Sequence, residues 1–381
     1  MRRRGFLASG AAVAATAVAG CPYRDEETIP SLSSGWPRPR YDEGGAGYRD
    51  EWAPISEGDP SVLWSTTLDV GKSDRPEPVV VDDVVYANTG TEVYAFDAAD
   101  GEKRWGTSFI DEPSADWTGR GPLAVADGRV FAGSHGGLFV LDTDGTELWS
   151  VEGDGEWPAS SVFGSPAVVD GTVYFAVGDT GYAYTVDGEK QWDRALESPS
   201  FVAPAVGEGA VYFASGDRLH RVLPDGTPEW TAPVDPEGYP LVVEPGVTGD
   251  GVFVPGRDAV VEVEVVTSEP RHALPIGRLD AALAVTEDYV YAPGGSGHTV
   301  FAVTTDPFGV QTGRDFDGTE TGVTAVGSSV YVAHEDGLWV GTRLDGDAAW
   351  TVETDQALRG GVAVTDEAVF AASRETLYGI A

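Results

Sequence analysis

Apolar and polar positions alternate in short runs along this chain, and the runs return at a nearly constant interval. An aromatic residue sits near the end of one run in each repeat: Tyr86, Phe131, Tyr174, Tyr212, Phe253, Tyr291, Tyr331 and Phe370, 38 to 45 residues apart. Alternation with a period of two places one face of a strand in a core and the other outside. Short strands repeating about every 40 residues, separated by Gly-rich turns, predict an all-β, eight-bladed β-propeller of four-stranded antiparallel blades.

The third repeat shows how a blade is written. Ser165-Pro166-Ala167-Val168-Val169 reads as a first strand, and Asp170-Gly171 as a two-residue turn needing positive φ. Thr172–Val177 is the second strand, Gly178–Gly181 the next turn, Tyr182–Val186 the third strand, Asp187-Gly188 another turn, and Glu189–Trp192 opens the fourth. The same grammar recurs at Asp127-Gly128 and Asp144-Gly145, at Glu208-Gly209 and Asp225-Gly226, and at Asp345-Gly346. Around Thr267–Leu274 and Thr304–Phe316 the turns blur, which leaves the boundaries of repeats five and six open.

Fourth strands carry Trp105, Trp149, Trp192, Trp230 and Trp350. A Trp recurring at one place buries a large surface between blades and is expected to be structural. The eighth repeat supplies three strands, around Val362–Val364, Ala368–Ala371 and Leu377–Ile380. Ser61–Leu68, carrying Trp64, is an orphan strand near the other end, and docking it there completes the last blade. That closure removes a sheet edge open to aggregation.

Ala95-Phe96-Asp97-Ala98-Ala99-Asp100-Gly101-Glu102-Lys103-Arg104-Trp105 resembles the tryptophan-docking repeat of pyrroloquinoline-quinone (PQQ)-like propellers, and Asp142–Trp149 resembles it with one residue fewer. Trp36-Pro37, Arg40-Tyr41-Asp42 and Gly47-Tyr48 resemble the segment that precedes such propellers. The resemblance covers about residues 36–381. It implies kinship with quinoprotein dehydrogenases and with non-enzymatic members such as the propeller lipoprotein of the outer-membrane assembly machinery. Fold does not confer the cofactor. The quinoprotein alcohol dehydrogenases carry a vicinal cysteine pair, which this chain with its single Cys21 does not have. No cofactor is therefore expected, and the alternative is a small PQQ- and Ca²⁺-dependent dehydrogenase using the central funnel.

Charge changes the picture of the surroundings. The chain has 62 acidic and 24 basic residues, a net charge of −38, and its only lysines are Lys72, Lys103 and Lys190. The acids are spread over every repeat, so they coat the whole surface and repel one another in dilute buffer. At about 1 M salt the screening length falls to about 3 Å and most of that repulsion vanishes. A halophilic setting is expected. Nucleic acid is not an expected partner, because no basic patch exists to neutralise phosphates.

The first 21 residues read as an export signal: Arg2–Arg4, an apolar Ala-rich stretch from Phe6 to Ala19, then Cys21. Arg3-Arg4-Gly5-Phe6-Leu7 resembles a twin-arginine motif, and Val18-Ala19-Gly20-Cys21 resembles a lipobox in which Cys21 is lipidated. Residues 22–60, rich in Pro, Gly, Ser and charge, read as a flexible tether, and 61–381 as the propeller. The expected location is the outer face of the cytoplasmic membrane, held by a lipid.

Candidate chemistry is sparse. His135 and His334 fall in turns after second strands, and His298 in the Gly-rich turn Pro293–Thr299. Those turns share a face with Asp336, Arg218 and Arg374, but nothing in their spacing requires a metal, and surface roles are expected. No Gly-x-Ser-x-Gly elbow surrounds Ser160, Ser161 or Ser165. The long connections 106–121 and 151–164 carry Trp117, Arg120 and Trp157, the candidate recognition residues. The expected function is a monomeric binding scaffold for an extracellular or membrane protein, or a small ligand, without catalysis.

Overall fold

A computed structural model describes residues 32, 34–45, 47–49, 59–68, 76–109, 123–153, 161–235, 239, 241, 244–248, 251–279, 281–294, 298–316, 322–342 and 344–381. Eight sheets form the blades, each with four antiparallel strands ordered from an inner to an outer strand, and one of them gains a further strand at its inner edge. Blade 3 comprises Ala167–Val169, Thr172–Val177, Thr180–Thr185 and Lys190–Ala195. Its first turn holds Asp170 at φ 48° and Gly171 at φ 74°. Positive φ at both central positions matches the right-handed twist of the paired strands, and Gly adopts it without steric cost.

Burial explains the apolar pattern. Second strands such as Val84–Asn88 and Ala210–Ser215 are buried at every position. Both of their faces meet a neighbouring blade. Outer strands such as Lys103–Ser108 and Glu147–Glu152 alternate between exposed and half-buried residues, with Trp105 and Trp149 on the covered side. The core is thus a set of seams. Blades 1 and 2 share one apolar cluster, blades 2 and 3 the next, and so on to blades 6 and 7. The last cluster joins blades 7, 8 and 1, which closes the ring.

Closure uses the strand expected for it. Val62–Thr67 pairs antiparallel with Thr376–Ile380, with Trp64 opposite Gly379. Ser61 and Ala381 exchange backbone hydrogen bonds of 3.0 and 3.2 Å. Trp64 Nε1 donates to the Ala98 carbonyl at 2.9 Å, and Thr66 Oγ1 to that of Gly101 at 2.8 Å, so blade 8 is tied to blade 1.

The same docking joins consecutive blades. Trp105, Trp149, Trp192 and Trp230 donate from Nε1 to the carbonyls of Thr143, Val186, Pro224 and Val265 in the next blade, at 2.8–3.1 Å. A β-bulge just before each of these residues turns the ring toward that neighbour. The receiving turn must come close: a Cβ on Gly145 would lie 2.7 Å from Trp105 Cε3.

Blades 5 and 6 have outer strands Pro270–Pro275 and Gly309–Asp315 and solve the docking differently. His272 sits at the Trp register opposite Glu262, and its ring stacks on Phe308 of blade 6 at 5.1 Å. Thr312 takes the register in blade 6, and Arg314 reaches the Leu344 and Gly346 carbonyls of blade 7 instead.

One expectation fails. Residues 34–49, assigned to the free tether, are packed inside the ring. Trp36 is fully buried, and Arg38, Arg40 and Arg49 are 3–4% exposed. Tyr48–Arg49 forms a fifth strand of blade 7, parallel to Gly322–Val326. The reason is main-chain hydrogen bonding, which leaves no side-chain alternation to read.

Candidate functional site

The inner strands present one unpaired edge to the axis, and each edge carries backbone N–H groups that need acceptors. Residues 36–49 supply them in blade order. The N–H of Val80 (blade 1) donates to Trp36, Val125 (blade 2) to Pro37, Val206 (blade 4) to Glu43, Val247 (blade 5) to Gly44, and Ala325 (blade 7) to Gly47, at 2.6–3.0 Å. These five donors occupy equivalent positions, each paired with the second-strand residue five further along.

Side chains serve the blades between. Arg38 donates from NH2 to the carbonyls of Ser165 (blade 3) and Pro204 (blade 4), at 3.5 and 3.4 Å. Arg49 donates to the Val364 carbonyl and to Asp366 of blade 8 at 3.5 and 3.3 Å. It also donates to Ser34 Oγ at 3.0 Å, where the segment began, so the path closes on itself. The Trp36 and Tyr41 rings pack against each other within it, tilted by 43° with centroids 4.8 Å apart. Burial pulls the Arg38 guanidinium below its ordinary pKa, against the opposing charges of Asp42, Glu43 and Glu244. Arginine stays charged even so, and the carbonyls and carboxylates around it answer that charge.

This arrangement bears on a quinone in the central funnel. At the level of the inner strands residues 36–49 line the axial edge, and the equivalent donors of blades 1, 2, 4, 5 and 7 are bonded to them. No cluster of three or more His, Cys, Asp or Glu able to hold a metal occurs among the described residues.

At the rim, second-to-third-strand turns and inter-blade connections open on one face. Between blades 4 and 5 lies a mostly apolar cavity of about 460 Å³, lined among others by Val234, Tyr239, Val261 and Ala273. Tyr239 is 40% exposed, and the Arg257 guanidinium lies 3.9 Å from its ring centroid. Asp235 is buried beside them and accepts from the N–H groups of Tyr239 and Arg257, both at 3.4 Å. An apolar wall with a half-exposed aromatic, a stacked Arg and a buried carboxylate is the composition of a recognition pocket.

One contact resembles a nucleophile and its base. Ser215 Oγ lies 2.8 Å from His220 Nε2, and Thr231 Oγ1 is 3.1 Å from its Nδ1. Ser215 donates its proton to the Leu196 carbonyl at 2.6 Å, so it accepts from His220 rather than giving a proton to it. Burial holds His220 below its usual pKa. The network ties the His220 ring and Ser215 of blade 4 to the connection that follows the outer strand of blade 3.

Of the histidine-bearing turns, the structure brings His334 and Asp336 together, with the Asp336 N–H 3.3 Å from His334 Nδ1. His135 is buried in blade 2, and its pKa is lowered by that burial. Trp117, Arg120, Trp157, Cys21, Arg3 and Arg4 lie outside the described residues. The blade 4–5 pocket was missed from sequence; its one visible signal is Tyr239 in a Pro-rich connection.

The chain is 36% identical over 130 residues to the serine/threonine-protein kinase AfsK of Streptomyces coelicolor, covering 32% of this chain and 15% of that protein. It is 32% identical over 124 residues to the outer membrane protein assembly factor BamB of Burkholderia pseudomallei, covering 32% of this chain and 29% of that protein. The chain thus spans less than a third of the length of these curated relatives. In fold it is similar to the crystal structure of a quinohemoprotein alcohol dehydrogenase from Comamonas testosteroni, with a TM-score of 0.76 at 14% identity over 92% of this chain and 81% of that one. The family model PQQ_2, described as outer membrane protein assembly factor BamB, matches residues 53–181 and 141–352. With most of its blades inside that match, the chain belongs to the PQQ_2 family of repeat propellers.

Proposed function

We propose that this protein is an exported, lipid-anchored scaffold that displays its propeller rim to a protein partner at the outer face of a halophile's cytoplasmic membrane. The observation that supports this reading is the axial segment: residues 36–49 take up the inner-strand edges of five blades, which favours recognition at the rim. The pocket between blades 4 and 5 is the docking point, with Tyr239 and Arg257 as anchors. Tyr and Arg are the residue types that dominate interface energetics. The BamB relative supports an envelope role, and the Arg3-Arg4 and Cys21 motifs support export and anchoring. An acid-coated surface supports the saline setting.

The test is capture of partners from membranes in molar salt by the full chain and by the variants Tyr239→Ala and Arg257→Ala. Loss of the same partner in both variants supports docking at this pocket. Equal recovery by both overturns it. Reconstitution with PQQ and Ca²⁺ tests the dehydrogenase alternative, since dye reduction with an alcohol would replace the scaffold reading.

A further inference from the structure

One register of the blades carries an aromatic ring. The third residue of the third strand, paired with the residue after the second-strand aromatic, is Tyr94, Phe139 and Tyr182 in blades 1–3, His220 in blade 4, and Phe301, Trp339 and Tyr378 in blades 6–8. In blade 5 it is Val261. The residue just past the preceding outer strand meets this position: Phe109 stacks on Phe139 with centroids 4.7 Å apart, and Phe316 meets Trp339 edge to face at 5.6 Å. At the seam between blades 4 and 5 the two positions hold Val234 and Val261. Two short valines thus stand where the seams of blades 1–2 and 6–7 place a pair of rings, and both line the apolar cavity of about 460 Å³. The cavity is open to a visitor: Pro233, Tyr239 and Ala273 on its lining are exposed, Ala259 is half-buried, and the deeper Val234 and Val261 are each 5% exposed.

Apolar atoms that line a gap forfeit packing contacts on one side, and a guest that enters restores them. The strand pairing around this gap repeats that of the seams that hold rings, so what it lacks relative to them is a ring. Tyr239, 40% exposed at the mouth, gives such a ring an aromatic neighbour. Charge then separates the interior from the mouth. The charged groups of the lining are Asp235, Arg257 and Asp258. Asp235 is buried and accepts from two backbone N–H groups, whereas Arg257 and Asp258 are exposed. The interior therefore suits an uncharged group. The mouth offers a donor and an acceptor of opposite charge, which complement the C=O and N–H groups flanking a side chain in a polypeptide. Given docking at this pocket, we infer that the blade 4–5 cavity receives a Phe, Tyr or Trp side chain of the protein partner, which supplies the ring that Val261 omits. Packing of this kind is short-range, and molar salt leaves it intact.

The full chain, with ¹³C-labelled valine methyls and in molar KCl, is titrated with N-acetyl-L-phenylalaninamide, N-acetyl-L-tyrosinamide and N-acetyl-L-tryptophanamide, and with N-acetyl-L-leucinamide as the aliphatic control. The methyl signals of Val234 and Val261, identified by their loss in Val234→Ile and Val261→Ile, are followed. At least one aromatic amide is expected to shift both sets saturably and to bind at least fivefold more tightly than the leucine amide. Val261→Phe builds the ring from within and is expected to weaken the aromatic amide at least tenfold, read at Val234, and to lose the partner captured from membranes. Ala273→Leu fills the same space from an exposed position and is expected to give the same two losses, so the test does not depend on how Val261→Phe folds. No shift by any aromatic amide overturns the inference, as does equal binding of the leucine amide. Retention of the partner by Val261→Phe and Ala273→Leu, with its loss in Tyr239→Ala and Arg257→Ala, overturns the ring and leaves docking at the pocket standing. Retention by all four variants overturns both.

Discussion

Trp36→Ala separates an integral axial segment from a tether. In the ring Trp36 is fully buried, packs at a tilt against Tyr41, and donates from its indole to the Pro39 carbonyl. An aromatic side chain of this kind buries about 150–250 Å². At about 25 cal/mol per Å² that amounts to about 4–6 kcal/mol, an upper bound because the unfolded chain already hides part of the surface. Measured Trp→Ala losses of about 3–5 kcal/mol agree with the discounted figure. Unfolding entropy is about 2.1 cal/mol/K per residue, so for the propeller such a loss lowers Tm by about 4–8 °C. The assay is urea unfolding at fixed high KCl, which leaves ionic strength constant. Native-state hydrogen exchange of Val80, Val125, Val206, Val247 and Ala325 accompanies it, since these five amides are bonded by the segment. A solvated tether residue would cost less than about 0.5 kcal/mol. A loss below about 1 kcal/mol, together with rapid exchange at all five amides, would refute the packed axis.

Trp64→Phe removes the bond to the Ala98 carbonyl while keeping an aromatic ring; a loss of about 1–3 kcal/mol in chemical denaturation is expected, and no loss would show that this bond does not hold blade 8 to blade 1. Burial lowers the pKa of His220, so the unfolded chain takes up the proton first: stability present above about pH 6.5 declines as the pH falls from there through the depressed folded value, and His220→Gln removes part of that slope in thermal melts. An unchanged slope would mean that His220 does not carry it. Raising KCl from about 0.1 to 1 M shortens the screening length from about 10 to 3 Å and is expected to raise Tm, whereas a flat response would count against the halophilic reading.

The blades were legible because each strand position repeats a local rule. Asp170-Gly171 marks a two-residue turn whatever surrounds it, and Val173, Phe175 and Val177 alternate with residues facing the other seam. Trp64 showed the closing strand because it repeated the fourth-strand signature out of place. The axial segment had no such signature: its carbonyls accept from inner-strand amides, a role that sets no alternation of side chains, and its buried side chains include Arg38 and Arg49, which read as solvent-facing charge. His272 and Arg314 were illegible as seam residues for a related reason. Their role follows from register and from the turn they meet in the next blade, and neither is visible in residue type. The cavity at blades 4–5 joins residues from two repeats, so no local pattern marks it.

The bond between Arg49 and Ser34 also makes the axial segment a gauge of circumference. A path of fixed residue number returns to its start only if the hole it lines has the right girth. A seven-bladed closure would leave slack, and a ninth blade would pull Arg49 out of reach of both Ser34 and Asp366. The chain thus carries, ahead of its first blade, a measuring cord for how many blades should follow.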